Sequence, residues 1–214
     1  LLIGADGTNS VVRDLILPDA SIDDIGSFIY GKTPITSDTL NWVPEMLIDS
    51  FNRMTASDGV KMAVATCRKR TPFTEATTQF APTLHLTDVQ DYLAWMLEGW
   101  STRSSLAQEE LRSASSQILH RLGLDMLEQW PPSVRRIVEE ADIPSTFLVS
   151  LRSARPVKQW QTTNVTLLGD AIHTMSPGRG EGANTALRDA RLLRHALIDV
   201  AALQLPLAQA KAQY

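Results

Sequence analysis

The sequence predicts a mixed α/β protein in which one α/β domain is split by an inserted domain of sheet and helix. Three observations carry this. The chain opens on an apolar run, Leu1 to Ile3, that breaks at Gly4-Ala5-Asp6-Gly7. A second apolar run, Val165, Leu167 and Leu168, breaks at Gly169-Asp170 and leads through a glycine-rich stretch into a long helical pattern. Both runs read as buried strands. Between them lies a long segment with hairpin and amphipathic-helix signals of its own.

Taken in order, Leu1 to Ile3 is the first strand, and a short helix starts near Ser10, whose hydroxyl suits an N-cap. Phe28 to Gly31 reads as a strand. Asp49 to Arg68 reads as a hairpin turning at Ser57-Asp58-Gly59. Asp91 to Trp100 fits two patterns: Tyr92, Ala94 and Met96 alternate as in a strand, while Leu93, Met96 and Leu97 fit a helix face. Ser105 to Leu122 reads as one helix, with Leu106, Leu111, Ile118, Leu119 and Leu122 on one side. Pro131-Pro132 interrupts the chain, Ser133 to Ala141 forms a short helix, and Phe147 to Ser153 is a strand. The final helix, Ala183 to Val200, puts Ala183, Leu187, Ala190, Leu193, Leu197 and Val200 on an inward face and Arg188, Arg191 and Arg194 toward solvent. The five tryptophans, Trp42, Trp95, Trp100, Trp130 and Trp160, read as core or cleft wall.

Composition narrows the function. The 214 residues can hold one or two domains with real cores, and 43% hydrophobic with 21% charged residues is ordinary for a globular chain. A net charge of −4 gives no electrostatic case for nucleic acid. The single cysteine, Cys67, excludes an internal disulfide and fits a reducing compartment, so a cytoplasmic location is expected. No apolar run is long enough to span a bilayer. His85, His120, His173 and His195 lack ligand spacing, so no metal site is expected. Ser176 has no nucleophile-elbow context, which argues against a hydrolase.

The segment from Asn164 to Leu193 carries the chemistry. Asp170 ends a strand, where ligands bind in open α/β sheets. Gly178, Gly180 and Gly182 let backbone approach a flat ligand. The helix that follows offers unpaired N–H groups and partial positive charge. Eight residues, Asp170 to Pro177, separate Gly169 from Gly178, too many for the tight turn of a dinucleotide fingerprint. A carboxylate for a hydroxylated chain, beside an anion-stabilising helix end and a planar ring, suits a flavin.

Two motifs, Gly4, Asp6, Gly7, Ser10 and Arg13, then Gly169, Asp170, Ala171, His173, Pro177, Gly180, Gly182, Asn184, Asp189, Ala190 and Leu193, resemble the DG and GD motifs of the class A flavoprotein monooxygenases, the para-hydroxybenzoate hydroxylase-like family. The resemblance implies a split Rossmann-like FAD-binding domain, residues 1–24 and 158–214, around a substrate domain of residues 25–157. It favours a strand at the start of Asp91 to Trp100. It implies that Asp170 anchors the ribityl chain and that Gly169, Pro177, Gly180, Gly182, Ala183 and Asn184 shape the flavin ring's bed. Asp6 and Gly7 would lie near the ribose and pyrophosphate; Arg13 reads equally as a cofactor-side or a structural ion-pair residue. The implied partners are FAD, NADH or NADPH, dioxygen and a small organic substrate to be hydroxylated or epoxidised, in the manner of fungal secondary metabolism. The family's opening strand–GxGxxG–helix unit is not found here, so the chain reads as an internal piece of a longer enzyme. The rival readings are a non-catalytic fragment unable to hold FAD alone and a flavin-dependent reductase.

Overall fold

A computed structural model describes residues 1–99, 108–158, 160, 164–203 and 206–212. In chain order the elements are β1 (Leu2–Gly4), α1 (Val11–Ile16), β2 (Ile22–Pro34), α2 (Ser37–Trp42), β3 (Phe51–Thr55), β4 (Lys61–Cys67), α3 (Phe73–Phe80), β5 (Tyr92–Glu98), α4 (Gln108–Arg112), α5 (Ser116–Met126), α6 (Pro132–Glu139), β6 (Phe147–Ala154), β7 (Val165–Leu167), α7 (Asp170–His173), α8 (Gly182–Leu203) and α9 (Leu207–Ala212). The chain divides into two units, Leu1–Gly26 with Ser150–Tyr214, and Ser27–Val149. The return crossing thus falls inside β6, ahead of Val157. Strand β2 is longer than the expected Phe28 to Gly31.

The Ser27–Val149 unit is built on a sheet of order β3-β4-β5-β2-β6. The β3–β4 hairpin closes where Ala56 N–H donates to Val60 O at 2.9 Å and the Asp58 carboxylate accepts from Val60 N–H at 3.1 Å. Strand β5 pairs antiparallel with both β4 and β2, so the two-way pattern of Asp91 to Trp100 resolves as strand over Tyr92–Glu98. One sheet face carries Ile29, Met62, Val64, Leu93, Trp95 and Leu97, all fully buried, against Leu119, Met126, Ile137 and Val138 of α5 and α6. Each such side chain contributes about 1.5–3 kcal/mol. Gly31 makes this face possible: a Cβ there would fall 2.0 Å from Cζ2 of Trp95, so the indole lies across β2 where no other residue fits.

The single helix expected over Ser105 to Leu122 is two. Helix α4 ends at Arg112, and α5 restarts after Ser115, whose Oγ accepts from Ile118 N–H at 3.4 Å. Serine's preference for capping outweighs the continuous apolar stripe. Leu106 lies outside the described residues, as does Trp100. Pro132 opens α6 at a position where its missing N–H costs nothing. His120 is a core histidine, its Nε2 2.7 Å from Val138 O.

In the other unit, β1 and β7 pair in parallel, with Leu2 opposite Val165 and Gly4 opposite Leu167. Leu167, Ala171 and Ile172 form a small core with Val12, Ile16 and Trp160 packed on it. Among the described residues no helix is long and apolar enough to cross a membrane.

Candidate flavin site

The site grows from two turns at the ends of the parallel strands. After β1, Asp6 accepts from Val11 N–H at 2.9 Å, and Ser10 Oγ accepts from Arg13 N–H at 2.9 Å. Two side chains thus satisfy amides at the start of α1, which no carbonyl can reach. The Ser10 hydroxyl, with the backbone amides of Asp6, Val12 and Val11, holds the Asp6 carboxyl below its ordinary pKa range. Arg13 is buried, and its Nη1 donates to Thr8 O at 2.8 Å and to Ala171 O at 3.4 Å. Its guanidinium thus ties the DG turn to the GD turn, and Nη2 also pairs with Asp14 Oδ1 at 3.1 Å.

After β7, Gly169 takes φ 59°. The stretch from Asp170 is one turn of helix, not loop, so the Asp170 carboxylate stands at the start of α7. It is exposed and has no protein partner among the described residues. The turn is held from α8: the buried Asp189 carboxylate accepts from Gly169 N–H at 3.1 Å and lies 3.3 Å from His173 Nε2. Asp189 corrects the expected inward face of α8. Asp189, Leu193 and Ala196 are buried, whereas Leu187 is 68% exposed and Ala190 faces solvent. An apolar-periodicity reading could not place a carboxylate inside, because what draws it inside is a backbone amide far away in sequence.

A short 3-10 turn at Pro177–Arg179 ends at Gly180, which adopts the left-handed conformation at φ 67°. Helix α8 follows at once. Its first backbone bond runs from Thr185 N–H to Glu181 O at 2.9 Å. The amides of Gly182, Ala183 and Asn184 therefore have no partner within the helix.

These pieces enclose a cavity of about 570 Å³. Of the expected ligand-contacting residues, Gly7, Gly169, Asp170, Pro177, Gly180, Gly182 and Ala183 line it. Asp6 and Arg13 are not among its lining residues, and both hold the turn that carries Gly7. Asn184 is exposed in the first turn of α8, off the wall. Sequence reasoning missed Ala5, Leu168, Met175 and Ala186. Ala186 was discoverable, one turn beyond Gly182 on the same helical face.

A second cavity of about 310 Å³ shares Asp170, Met175 and Pro177 and adds Thr8, Asn9, Ser150, Arg152 and Thr174. Arg152 Nη1 donates to Asn9 Oδ1 at 2.7 Å. Among the described residues no group of three or more His, Cys, Asp or Glu side chains could hold a metal ion.

The wall fits a flavin. It is nearly all glycine, alanine and proline backbone, open to a planar ring; a Cβ on Gly180 would project into unfilled space. A free carboxylate stands at one side for a polyol, and the unpaired amides of α8 stand at the other for a ring that gains negative charge.

Comparison with known proteins agrees. A family model described as an FAD binding domain matches residues 132–203. The chain is 33% identical over 217 residues to the dual O-methyltransferase/FAD-dependent monooxygenase CTB3 of Cercospora beticola, covering 92% of this chain and 24% of that protein. It is 30% identical to elcB of Phaeosphaeria nodorum, of the same description, covering 94% of this chain and 24% of that protein. In structure it matches a candidate FAD-containing monooxygenase of Photorhabdus luminescens with a TM-score of 0.82 and 30% identity, over 100% of this chain and 55% of that one. Klebsiella pneumoniae HpxO in complex with FAD and uric acid has the same fold, at a TM-score of 0.64 and 18% identity, over 92% of this chain and 42% of that one. The chain thus spans about a quarter of the length of these curated relatives and about half of the solved structures. Agreement in sequence along nearly all of its length, and in fold, makes the chain a member of the FAD-dependent monooxygenases of the para-hydroxybenzoate hydroxylase-like family.

Proposed function

We propose that the protein to which this chain belongs uses NADH or NADPH and dioxygen to hydroxylate or epoxidise a small organic substrate, with FAD in the cavity between the β1 and β7 turns. One observation carries this reading. Motifs more than 150 residues apart in sequence close around a single small-residue cavity bearing one free carboxylate and one open helix start. Bound FAD would carry two electrons from the nicotinamide to dioxygen, one oxygen atom entering the substrate and the other leaving as water. The chain's own residues supply placement and charge. Asp170 accepts hydrogen bonds from ribityl hydroxyls. Gly182 and Ala183 present N–H groups to the ring edge that becomes electron-rich on reduction. Met175, Leu168 and Ala186 keep water from the bed.

The second cavity supports a place for an anionic co-substrate, with Arg152 as its guanidinium and Asn9 fixing that group. The FAD pyrophosphate falls to a unit of the protein outside these residues, in keeping with the small share of its relatives that the chain spans. The names of CTB3 and elcB pair oxygenation with O-methylation, which favours an aromatic substrate carrying hydroxyl groups.

The test is made on the whole protein. Purified with FAD, it is expected to show flavin absorbance and substrate-dependent NAD(P)H oxidation matched by oxygen uptake. Flavin reduction with no oxygen incorporated into any product would instead identify a reductase on the same scaffold.

A further inference from the structure

Helix α7 is too short to hold its own geometry. It has four residues, Asp170–His173, and a single turn fixes several backbone dihedrals in return for one hydrogen bond. Its shape is imposed by groups from elsewhere in its unit. Arg13 Nη1 of α1 donates to Ala171 O at 3.4 Å. Just past the helix, the Thr174 carbonyl accepts from Ala154 N–H of β6 at 2.7 Å. A further tie comes from α8, where Asp189 meets both ends of the turn. Its Oδ2 accepts from Gly169 N–H at 3.1 Å, one residue before Asp170, and lies 3.3 Å from Nε2 of His173, the last residue of the helix.

The Asp189 carboxylate is buried, and a buried charge is costly unless it is paired and hydrogen-bonded. One neutral amide offsets part of that cost. Among the described residues, His173 is the basic side chain within ion-pair distance of it. The carboxylate selects the form of the ring that is protonated at Nε2, since a bare Nε2 would set its lone pair against an anion. A hold at Gly169 alone would leave the turn free to swing about that amide and carry the Asp170 carboxylate off the cavity. A second hold at the far end removes that freedom.

His173 lines neither of the two cavities, so any effect it has on a ligand there passes through another residue. We propose that His173 is a positioning residue for the flavin: by pinning the end of α7 to Asp189, it fixes the direction in which Asp170 presents its carboxylate to the ribityl chain. This rests on the reading of Asp170 as the ribityl anchor and adds a residue to it. What the position requires is an N–H donor at the reach of Nε2. Glutamine supplies one. Leucine fills a similar volume without a donor, and asparagine has the donor but falls short of Asp189.

The experiment titrates the whole protein, stripped of flavin, with FAD and reads the dissociation constant from flavin fluorescence, with the denaturant midpoint of each variant alongside. His173→Leu is expected to weaken FAD binding about tenfold. His173→Asn, which keeps a polar side chain at this half-exposed position, should weaken it similarly and stands in should the leucine variant not fold. His173→Gln should stay within about threefold of wild type. The decisive comparison is a double-mutant cycle with Asp170→Ala. With no carboxylate left to aim, His173→Leu should add a loss of no more than about twofold. A full tenfold loss in both backgrounds, a glutamine variant as weak as the leucine one, or wild-type affinity in His173→Leu overturns the proposal. Failure of the anchor reading shows separately, as wild-type FAD affinity in Asp170→Ala itself.

Discussion

Asp170 and the glycines at the cavity separate two kinds of residue effect. The Asp170 carboxylate is exposed and makes no hydrogen bond or ion pair among the described residues, and the bond its backbone carbonyl accepts from Thr174 Oγ1 survives truncation, so Asp170→Ala should leave the melting temperature near wild type. In the whole protein it should weaken FAD retention about ten- to hundred-fold, the worth of hydrogen bonds to a charged acceptor. A flavin titration showing wild-type affinity would remove its anchoring role. Gly180 and Gly182 both line the cavity but differ in backbone. Gly180 is left-handed at φ 67°, so Gly180→Val should cost about 1–2 kcal/mol of stability as well as cavity space. Gly182 is not, and a Cβ there would meet only Met175 Cγ, at 3.8 Å. Gly182→Val should therefore reduce flavin content while changing the melting temperature little. Equal thermal losses in the two variants would contradict this. Asp6 gives a pH signature. Its folded pKa is depressed below 3.8, chiefly by Ser10, so its contribution is present above the unfolded value and is lost as pH falls through the folded one. Urea unfolding of Asp6→Asn and wild type should differ at neutral pH and converge in acid.

At the scale of elements, the decisive contacts join pieces that sequence keeps apart. Asp189 on α8 holds the Gly169 amide, and with it the angle at which β7 delivers Asp170 to the cavity. Asp189→Ala should strand that buried amide at a cost of about 1–3 kcal/mol, read as a lower midpoint in denaturant with flavin retention lost alongside. A variant that unfolds normally and keeps flavin would show that the turn holds itself. In the other unit, β2 and β5 depend on the Gly31–Trp95 fit. Gly31→Ala should destabilise by about 1–3 kcal/mol through overpacking. Adding Trp95→Phe should recover part of that loss, since neighbours that touch are not additive. Full additivity in the double-mutant cycle would mean the indole moves freely.

Across the whole molecule the two units have unequal cores. The Ser27–Val149 unit buries a continuous cluster from Ile29 through Trp95 to Val138. The other unit has Leu167, Ala171 and Ile172 at its centre and exposes Leu1, Leu2, Val11, Leu15 and Leu187. Local stability follows buried apolar contact. Native-state hydrogen exchange should accordingly find the slowest amides in β4 and β5, with β1 and β7 exchanging much earlier. Equal protection in both sheets would show that the parallel pair is stabilised by more than this core.

The two motifs, their order, the hairpin at Asp58-Gly59, the return strand from Phe147 and the cavity glycines were legible in the sequence, because each depends on local chemistry. Turn residues, strand alternation and the lack of a Cβ act over a few positions. Tertiary structure alone decided which side of α8 is buried and that Arg13 reaches across to the GD turn. It also decided that Tyr30, Lys32, Cys67 and Tyr92 share one edge of one sheet face. Each of those outcomes turns on a partner distant in the chain: the Gly169 N–H for Asp189, the Ala171 carbonyl for Arg13, the register of three strands for the tyrosines. Periodicity records which residues are apolar. It does not record which buried backbone groups require a polar partner, and in this protein those requirements set the geometry of the site.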